Sequence, residues 1–335
     1  MTMTDFFFNY GIFLAKMATI VAAIVTVVLF FVFLAGRKQS VNKDNIEVKK
    51  LNDKYSELAM MMNANMLHKD ALKKYLKQEK DKFKGVVKEI KSGTQKKRIY
   101  VLNFHGDIRA SAVSSLREEI TAILTVATEN DEVFIRLESG GGVVHGYGLG
   151  ASQLMRVREK NIPLTVSVDK VAASGGYMMA CVANRIIAAP FSIIGSIGVI
   201  AQVPNFNRVL KKHDVEYDQF TAGEFKRTVT MFGENTDEAK AKFREEIEDI
   251  HVLFKDFIVQ NRPDVDIVKV STGESWPGIR ALEKNLVDEL KTSDDYLLEN
   301  SECADIYEIK YVSKKSLSEK IGFQVQRMVD KLQYG

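Results

Sequence analysis

The stretch Asp169-Lys-Val-Ala-Ala-Ser-Gly-Gly-Tyr-Met-Met-Ala180 decides how this chain is read. It follows Leu164 to Val168, where apolar and small polar residues alternate and predict a strand. Its second half, Tyr177 to Val182, reads as a buried helix. Ser174 therefore falls at a strand-to-helix junction. Gly175 and Gly176 leave room for a substrate carbonyl and present backbone N–H groups at a helix N-terminus. A serine hydroxyl is a weak nucleophile until a base takes its proton, so the reading turns on what activates Ser174.

Working outward, strand and helix signals alternate. Tyr100–Phe104 and Val133–Leu137 predict strands, and Val113, Leu116, Ile120, Ile123 and Leu124 mark a helix face between them. The loop Glu138-Ser-Gly-Gly-Gly-Val143 precedes a helix running to about Lys160, and Arg185–Ala189 and Ser196–Ile200 read as short strands. This alternation predicts an α/β domain with a largely parallel sheet, whose sites gather at strand C-termini. Asn235-Thr-Asp-Glu238 has the form of a capping box. The long helix it opens carries Phe243, Ile247, Ile250, Phe254, Phe257 and Ile258 on its apolar side and stops at Pro263.

The chain has 335 residues, 46% of them hydrophobic, enough for a large core. Lys and Arg number 47 against 44 Asp and Glu, a net charge of +3, but the charge is uneven. Residues 17–35 carry no charge and, at ~1.5 Å per residue, match a bilayer core of about 30 Å. Lys16 and Arg37-Lys38 flank them, and no small-residue cleavage pattern follows before Arg37, so the segment reads as a retained anchor rather than a signal peptide. From Arg37 to Arg98 there are 18 Lys and Arg against 8 Asp and Glu. With few aromatics, this basic stretch suits an anionic lipid surface better than nucleic acid. Leu51, Tyr55, Leu58 and Met62 recur at helical spacing within it and suggest a helical stalk. The expected organisation is an N-terminal tail over 1–16, an anchor over 17–35, a basic stalk and linker over 36–98, a catalytic domain over 99–300 and a C-terminal extension over 301–335. Cys181 and Cys303 make no disulfide framework, and the five histidines lack metal-ligand spacing. No metal or cofactor is called for.

Three segments read together are far more specific than any one: Ser139-Gly-Gly-Gly142, Val171-Ala-Ala-Ser-Gly-Gly-Tyr177 and Ala222-Gly-Glu-Phe-Lys-Arg227. With Leu137-Glu-Ser, His145-Gly-Tyr-Gly148, Gly195-Ser-Ile-Gly-Val199 and Pro204-Asn-Phe-Asn207, the chain resembles the signal peptide peptidase A family, nearest its SohB branch, over roughly residues 100–290. These are membrane-anchored Ser-Lys proteases. The resemblance implies an α/β, ClpP/crotonase-like domain with repeated ββα units, preceded by one N-terminal transmembrane helix and a basic helical stalk. It implies Ser174 as nucleophile, Lys226 as general base 52 residues on, and Ser196 as the hydroxyl that orients the lysine. It further implies Gly141 and Gly175 as backbone N–H donors of an oxyanion hole. The chemistry is coherent: an exposed lysine titrates near ~10.4, and burial in an apolar site lowers that value toward a usable base. The apolar stretch Ile186–Val203 is no second span, because crossing the bilayer there would part Ser174 from Lys226.

His145 is the other candidate base, but no histidine lies between Ser174 and His213, where the related ClpP pattern has one. Gly140 stands where the family carries proline, and Asn285 where it commonly carries glycine. Expected partners are peptide or protein substrates such as signal-peptide remnants or misfolded membrane segments, the lipid bilayer, and further copies of the chain, with no nucleic acid. The resemblance implies a single-pass protein of the bacterial inner membrane. Lysines and arginines after the anchor argue for a cytoplasmic catalytic domain, whereas the family resemblance argues for the outer side. Two other readings stay open at this point: a crotonase-like acyl-CoA enzyme, which would need carboxylates in its pocket, and a non-catalytic membrane scaffold.

Overall fold

A computed structural model describes residues 11–27, 45–91, 96–223 and 225–312. The chain divides into two units, residues 46–312 and residues 1–45 with 313–335. In the second unit the described residues are Asn45 and helix α1, over 11–27, which is solvent-exposed along its whole length. Residues 28–35 of the expected anchor lie outside the described residues. Among the described residues, no helix is long and apolar enough to cross a membrane.

The larger unit runs β1 (Asn45–Lys50), α2 (Leu51–Met66), α3 (Lys69–Lys91), β2 (Arg98–Gly106), α4 (Val113–Leu124), β3 (Glu132–Ser139), α5 (Val144–Glu159), β4 (Leu164–Val168), β5 (Val171–Ala173), α6 (Gly175–Ala180), β6 (Arg185–Ala188) and β7 (Ile193–Gly195). It continues with α7 (Asn207–Lys212), α8 (Asp237–Asn261), α9 (Ile267–Val270), β8 (Ser275–Pro277), α10 (Gly278–Glu283), β9 (Glu289–Leu290), α11 (Ser293–Asn300) and β10 (Asp305–Val312). Among the described residues ten strands form one mixed sheet, its main path ordered β1-β10-β2-β3-β4-β6-β9. A branch leaves β3 through β5 and β7 to β8. Only β8, paired with β7, is antiparallel among the pairings whose register is defined. The α/β class expected from the sequence is present.

Period-two alternation explains the layering. In β2, Tyr100, Leu102 and Phe104 enter one core with Leu116 and Ile120 of α4 and Leu154 of α5. Ile99 and Val101 enter another, with Phe134, Leu51 of α2, and Tyr296 and Leu297 of α11. Helices thus cover both faces, and β4 is buried at every position, as a parallel strand between two layers requires.

Four expectations shift. Residues 45–50, assigned to the stalk, are a strand, with Lys50 paired to Asp305 at 2.8 Å. Residues 305–312, assigned to a C-terminal extension, form β10 beside β2, because Ile306 and Ile309 bring apolar side chains to the two cores. Ser196–Ile200 is not a strand: β7 stops at Gly195, and Ser196 at φ 49° turns the chain out of the sheet, its N–H donating to the Glu274 carbonyl at 2.6 Å. The cap of α8 is Thr236, whose side chain accepts from the Ala239 N–H at 3.2 Å, so the Asn235–Glu238 box is not the one used.

Candidate active site

Strand register assembles the site. Gly106 at the end of β2 lies opposite Ser139 at the end of β3, and Ser139 lies opposite Ala172 of β5. Ala173 in turn lies opposite Gly195 of β7. The residues that follow these strand ends, namely the Gly140–Gly142 loop, Ser174 and Ser196, therefore emerge side by side although they are far apart in sequence. Asp169, which opens the decisive stretch, accepts from the Ser293 N–H at 2.8 Å and the Ser293 hydroxyl at 2.6 Å, tying the β4–β5 turn to α11.

Ser174 caps α6 at φ 52°, ψ −119°, a conformation that L-residues rarely adopt. Its N–H donates to the Gly195 carbonyl at 2.8 Å, and its carbonyl accepts from the Met178 N–H at 3.0 Å. Such a backbone costs on the order of 1–3 kcal/mol and persists only where surroundings enforce it. Here the enforcing groups are β7 on one side and the start of α6 on the other. Gly141 is also left-handed, φ +88°, and a β-carbon on it would come within 2.7 Å of the Ser174 Cβ and 2.8 Å of the Gly175 nitrogen. The glycine loop and the serine elbow are thus in contact.

Ser174, Ser196, Gly141 and Gly175 line one cavity of about 480 Å³, whose apolar wall includes Met178, Ile250 and Phe254. Among its described lining residues none is a carboxylate. Acid/base carboxylates are what an acyl-CoA chemistry of the crotonase type would need there. Cys181 is no rival nucleophile either: burial pushes its thiol up to about 12, leaving no thiolate near neutral pH. His145 is exposed and does not line the cavity.

Lys226 is elsewhere. It is exposed in a turn, its N–H donating to the Gly223 carbonyl at 3.2 Å, and it lines a separate cavity of about 860 Å³ with Pro204, Tyr217, Phe220 and Phe232. The single chain therefore brings together four of the five expected groups and leaves the lysine apart. Sequence reasoning also missed Ser139 and Tyr147, which pack beneath the glycine loop. The signal was present in the Ser-Gly-Gly-Gly and His-Gly-Tyr-Gly segments, whose conspicuous glycines drew attention from their neighbours.

A serine at a strained strand–helix elbow, packed against a glycine loop in a cavity at the C-terminal ends of parallel strands, fits a hydrolase of the acyl-transfer type. Residues 5–154 match the model of the peptidase family S49 N-terminal region, and residues 156–306 match that of peptidase family S49 itself. The chain belongs to peptidase family S49 and is a serine-type peptidase. Within the family it falls in the SohB branch. It is 48% identical over 334 residues to a protein of Haemophilus influenzae named "Probable protease SohB", covering 97% of this chain and 94% of that one. A protein of the same name from Buchnera aphidicola subsp. Schlechtendalia chinensis is 51% identical over 304 residues, covering 88% of this chain and 99% of that one. Among solved structures, a variant of the 1510-N membrane-bound stomatin-specific protease with a substrate peptide aligns at 15% identity and TM-score 0.43, covering 69% of this chain and 98% of that one.

Proposed function

We propose that the chain is a membrane-anchored Ser-Lys endopeptidase on a ClpP/crotonase-like scaffold, acting on signal-peptide remnants or misfolded membrane-associated polypeptides at the bacterial inner membrane. The observation that carries this reading is Ser174, held at φ 52° against Gly141 and Gly175 in one cavity. Ser174 Oγ attacks the peptide carbonyl carbon while its proton passes to the Lys226 amine. The carbonyl oxygen becomes an oxyanion held by the Gly141 and Gly175 amides. Collapse breaks the C–N bond, the Lys226 ammonium returns the proton to the leaving amine, and water then hydrolyses the acyl ester by the same route. The Ser196 hydroxyl, in the same cavity as Ser174, orients the lysine.

Lys226 must reach that cavity, and its surroundings indicate how. It sits among exposed apolar side chains, with Phe220 at 93% and Phe232 at 42% exposure. Leaving such groups in water forgoes on the order of 1.5–3 kcal/mol each. Contact with a second copy would recover this energy and bury the lysine, which supports a homo-oligomer whose assembly completes the dyad. The apolar run over 17–35, flanked by Lys16 and Arg37-Lys38, supports the anchor.

Fluorophosphonate labelling of the full chain in detergent tests the reading. Wild type is labelled, Ser174→Ala is not, and Lys226→Met folds but loses turnover. Labelling that persists in Ser174→Ala, or full turnover in Lys226→Met, refutes it. Light scattering at a single-chain mass for the active protein refutes the assembly component.

A further inference from the structure

Tyr147 is fully buried at the start of α5, its ring against Gly175 and its hydroxyl against Gly106. Its hydroxyl donates to the Asp107 carbonyl at 2.7 Å and lies 2.6 Å from Ser139 Oγ. A phenol has one proton and the Asp107 carbonyl can only accept, so the Ser139 hydroxyl must donate to Tyr147. Ser139 Oγ then accepts from the Gly141 N–H, at 3.0 Å. The result is a one-way chain, Gly141 N–H to Ser139 O–H to Tyr147 O–H to the Asp107 carbonyl, in which each bond polarises the next. The same tyrosine ring lies under Gly175: a β-carbon there would come within 2.5 Å of the Tyr147 Cγ. Tyr147 thus reaches Gly175 through its ring and Gly141 through Ser139.

We propose that Ser139 and Tyr147 are positioning residues for this peptidase, clamping the Gly141 amide through the hydroxyl chain and the Gly175 amide through the tyrosine ring. The proposal rests on the reading of Ser174 as nucleophile. Three consecutive glycines, Gly140 to Gly142, would otherwise order only at an entropic cost. Holding the loop beforehand removes that cost from the chemical step. In the resting site the Gly141 N–H rests on a neutral hydroxyl. When the oxyanion forms, its charge-assisted bond is about twice as strong, and the amide transfers to it while Ser139 stays bound to Tyr147.

Space has been kept for the clamp. A β-carbon on Gly106 would come within 2.4 Å of the Tyr147 hydroxyl and 2.5 Å of Ser139 Oγ. The loop is braced a second time by the Val143 N–H, which donates to the Ile108 carbonyl at 2.9 Å. Burial also pushes the Tyr147 phenol above its ordinary value, so the chain of donors stays protonated through the neutral range.

The test uses the full chain in detergent with a quenched fluorescent peptide, comparing Tyr147→Phe, Ser139→Ala and the double variant. Tyr147→Phe keeps the ring under Gly175 and removes only the hydroxyl. Loss of a whole oxyanion donor costs ~100- to 1,000-fold in turnover, so loss of its positioning is expected to lower kcat about 10- to 100-fold. KM should stay near wild type, affinity for a peptide aldehyde should fall in parallel with kcat, and the double variant should be no worse than Ser139→Ala. Wild-type kcat in Ser139→Ala, or single effects that multiply in the double variant, overturns the proposal. Ser139→Ala removes one buried atom and decides the matter if Tyr147→Phe does not fold. Fluorophosphonate labelling separates the two failures. An unlabelled wild type sinks the nucleophile reading, whereas a labelled wild type with unaffected variants sinks only the clamp.

Discussion

Replacing Ser174 by glycine should abolish turnover and make the protein more stable. The serine is held at φ 52°, ψ −119°, a region where a β-carbon is penalised on the order of 1–3 kcal/mol. Glycine relieves that strain but brings about 0.5–1 kcal/mol of extra unfolded-state entropy, leaving a net gain of about 1 kcal/mol. For a domain of 150–250 residues this is worth roughly 2–4 °C in Tm. The informative comparison is with Ser174→Ala, which removes the same hydroxyl yet keeps the β-carbon and hence the strain. Both variants retain the N–H bond to the Gly195 carbonyl, so a difference between them isolates the backbone contribution. Thermal and urea unfolding of the detergent-solubilised chain would measure it. Equal stabilities for the glycine and alanine variants would show that the elbow stores no strain, and the argument for an enforced nucleophile would lose its physical basis.

Further outcomes follow from neighbouring positions. Gly140 has a negative φ and open space around its β-position, and Ser139 before it is in a strand, so Gly140→Pro should raise stability by about 0.4–1 kcal/mol, read as a higher urea midpoint. Gly175→Ala drives a β-carbon into the Tyr147 ring and should cost about 1–3 kcal/mol, with turnover falling further than stability alone explains. Burial alone would raise the Asp131 carboxyl, but Arg98 Nη2 at 2.6 Å and the Thr128 N–H at 2.7 Å hold it below the ordinary aspartate range. Because the folded value lies below the unfolded one, this contribution is complete above about pH 4 and is lost as pH falls through the folded value. Asp131→Asn should therefore lower stability at pH 7 and flatten the acid limb of a urea-midpoint series.

Much of the scaffold was legible because its signals are local. Tyr100–Phe104, Val133–Leu137 and Leu164–Val168 all fall inside observed strands, since short apolar runs between polar turns have few other ways to be buried. Leu116, Ile120 and Ile123 face the core of α4, as their spacing requires. The misread pieces lie at the margins. Asn45–Lys50 is too polar to announce itself as a strand and becomes one only because β10 offers it an edge. Ser196 ends β7 through a left-handed backbone, which serine composition alone does not reveal.

The sequence by itself determined that Ser174 stands at a strand-to-helix turn among glycines, because propensity and the lack of a β-carbon act within a few residues. It likewise determined the family, whose motifs survive as contiguous strings. Only the tertiary structure decided that Ser139, Ala173 and Gly195 end side by side. That depends on hydrogen-bond register between strands separated in sequence by other helices and strands. The same register buries Tyr147 beneath Gly175, and no local pattern of residues encodes a contact made across 28 positions of chain, from Tyr147 to Gly175.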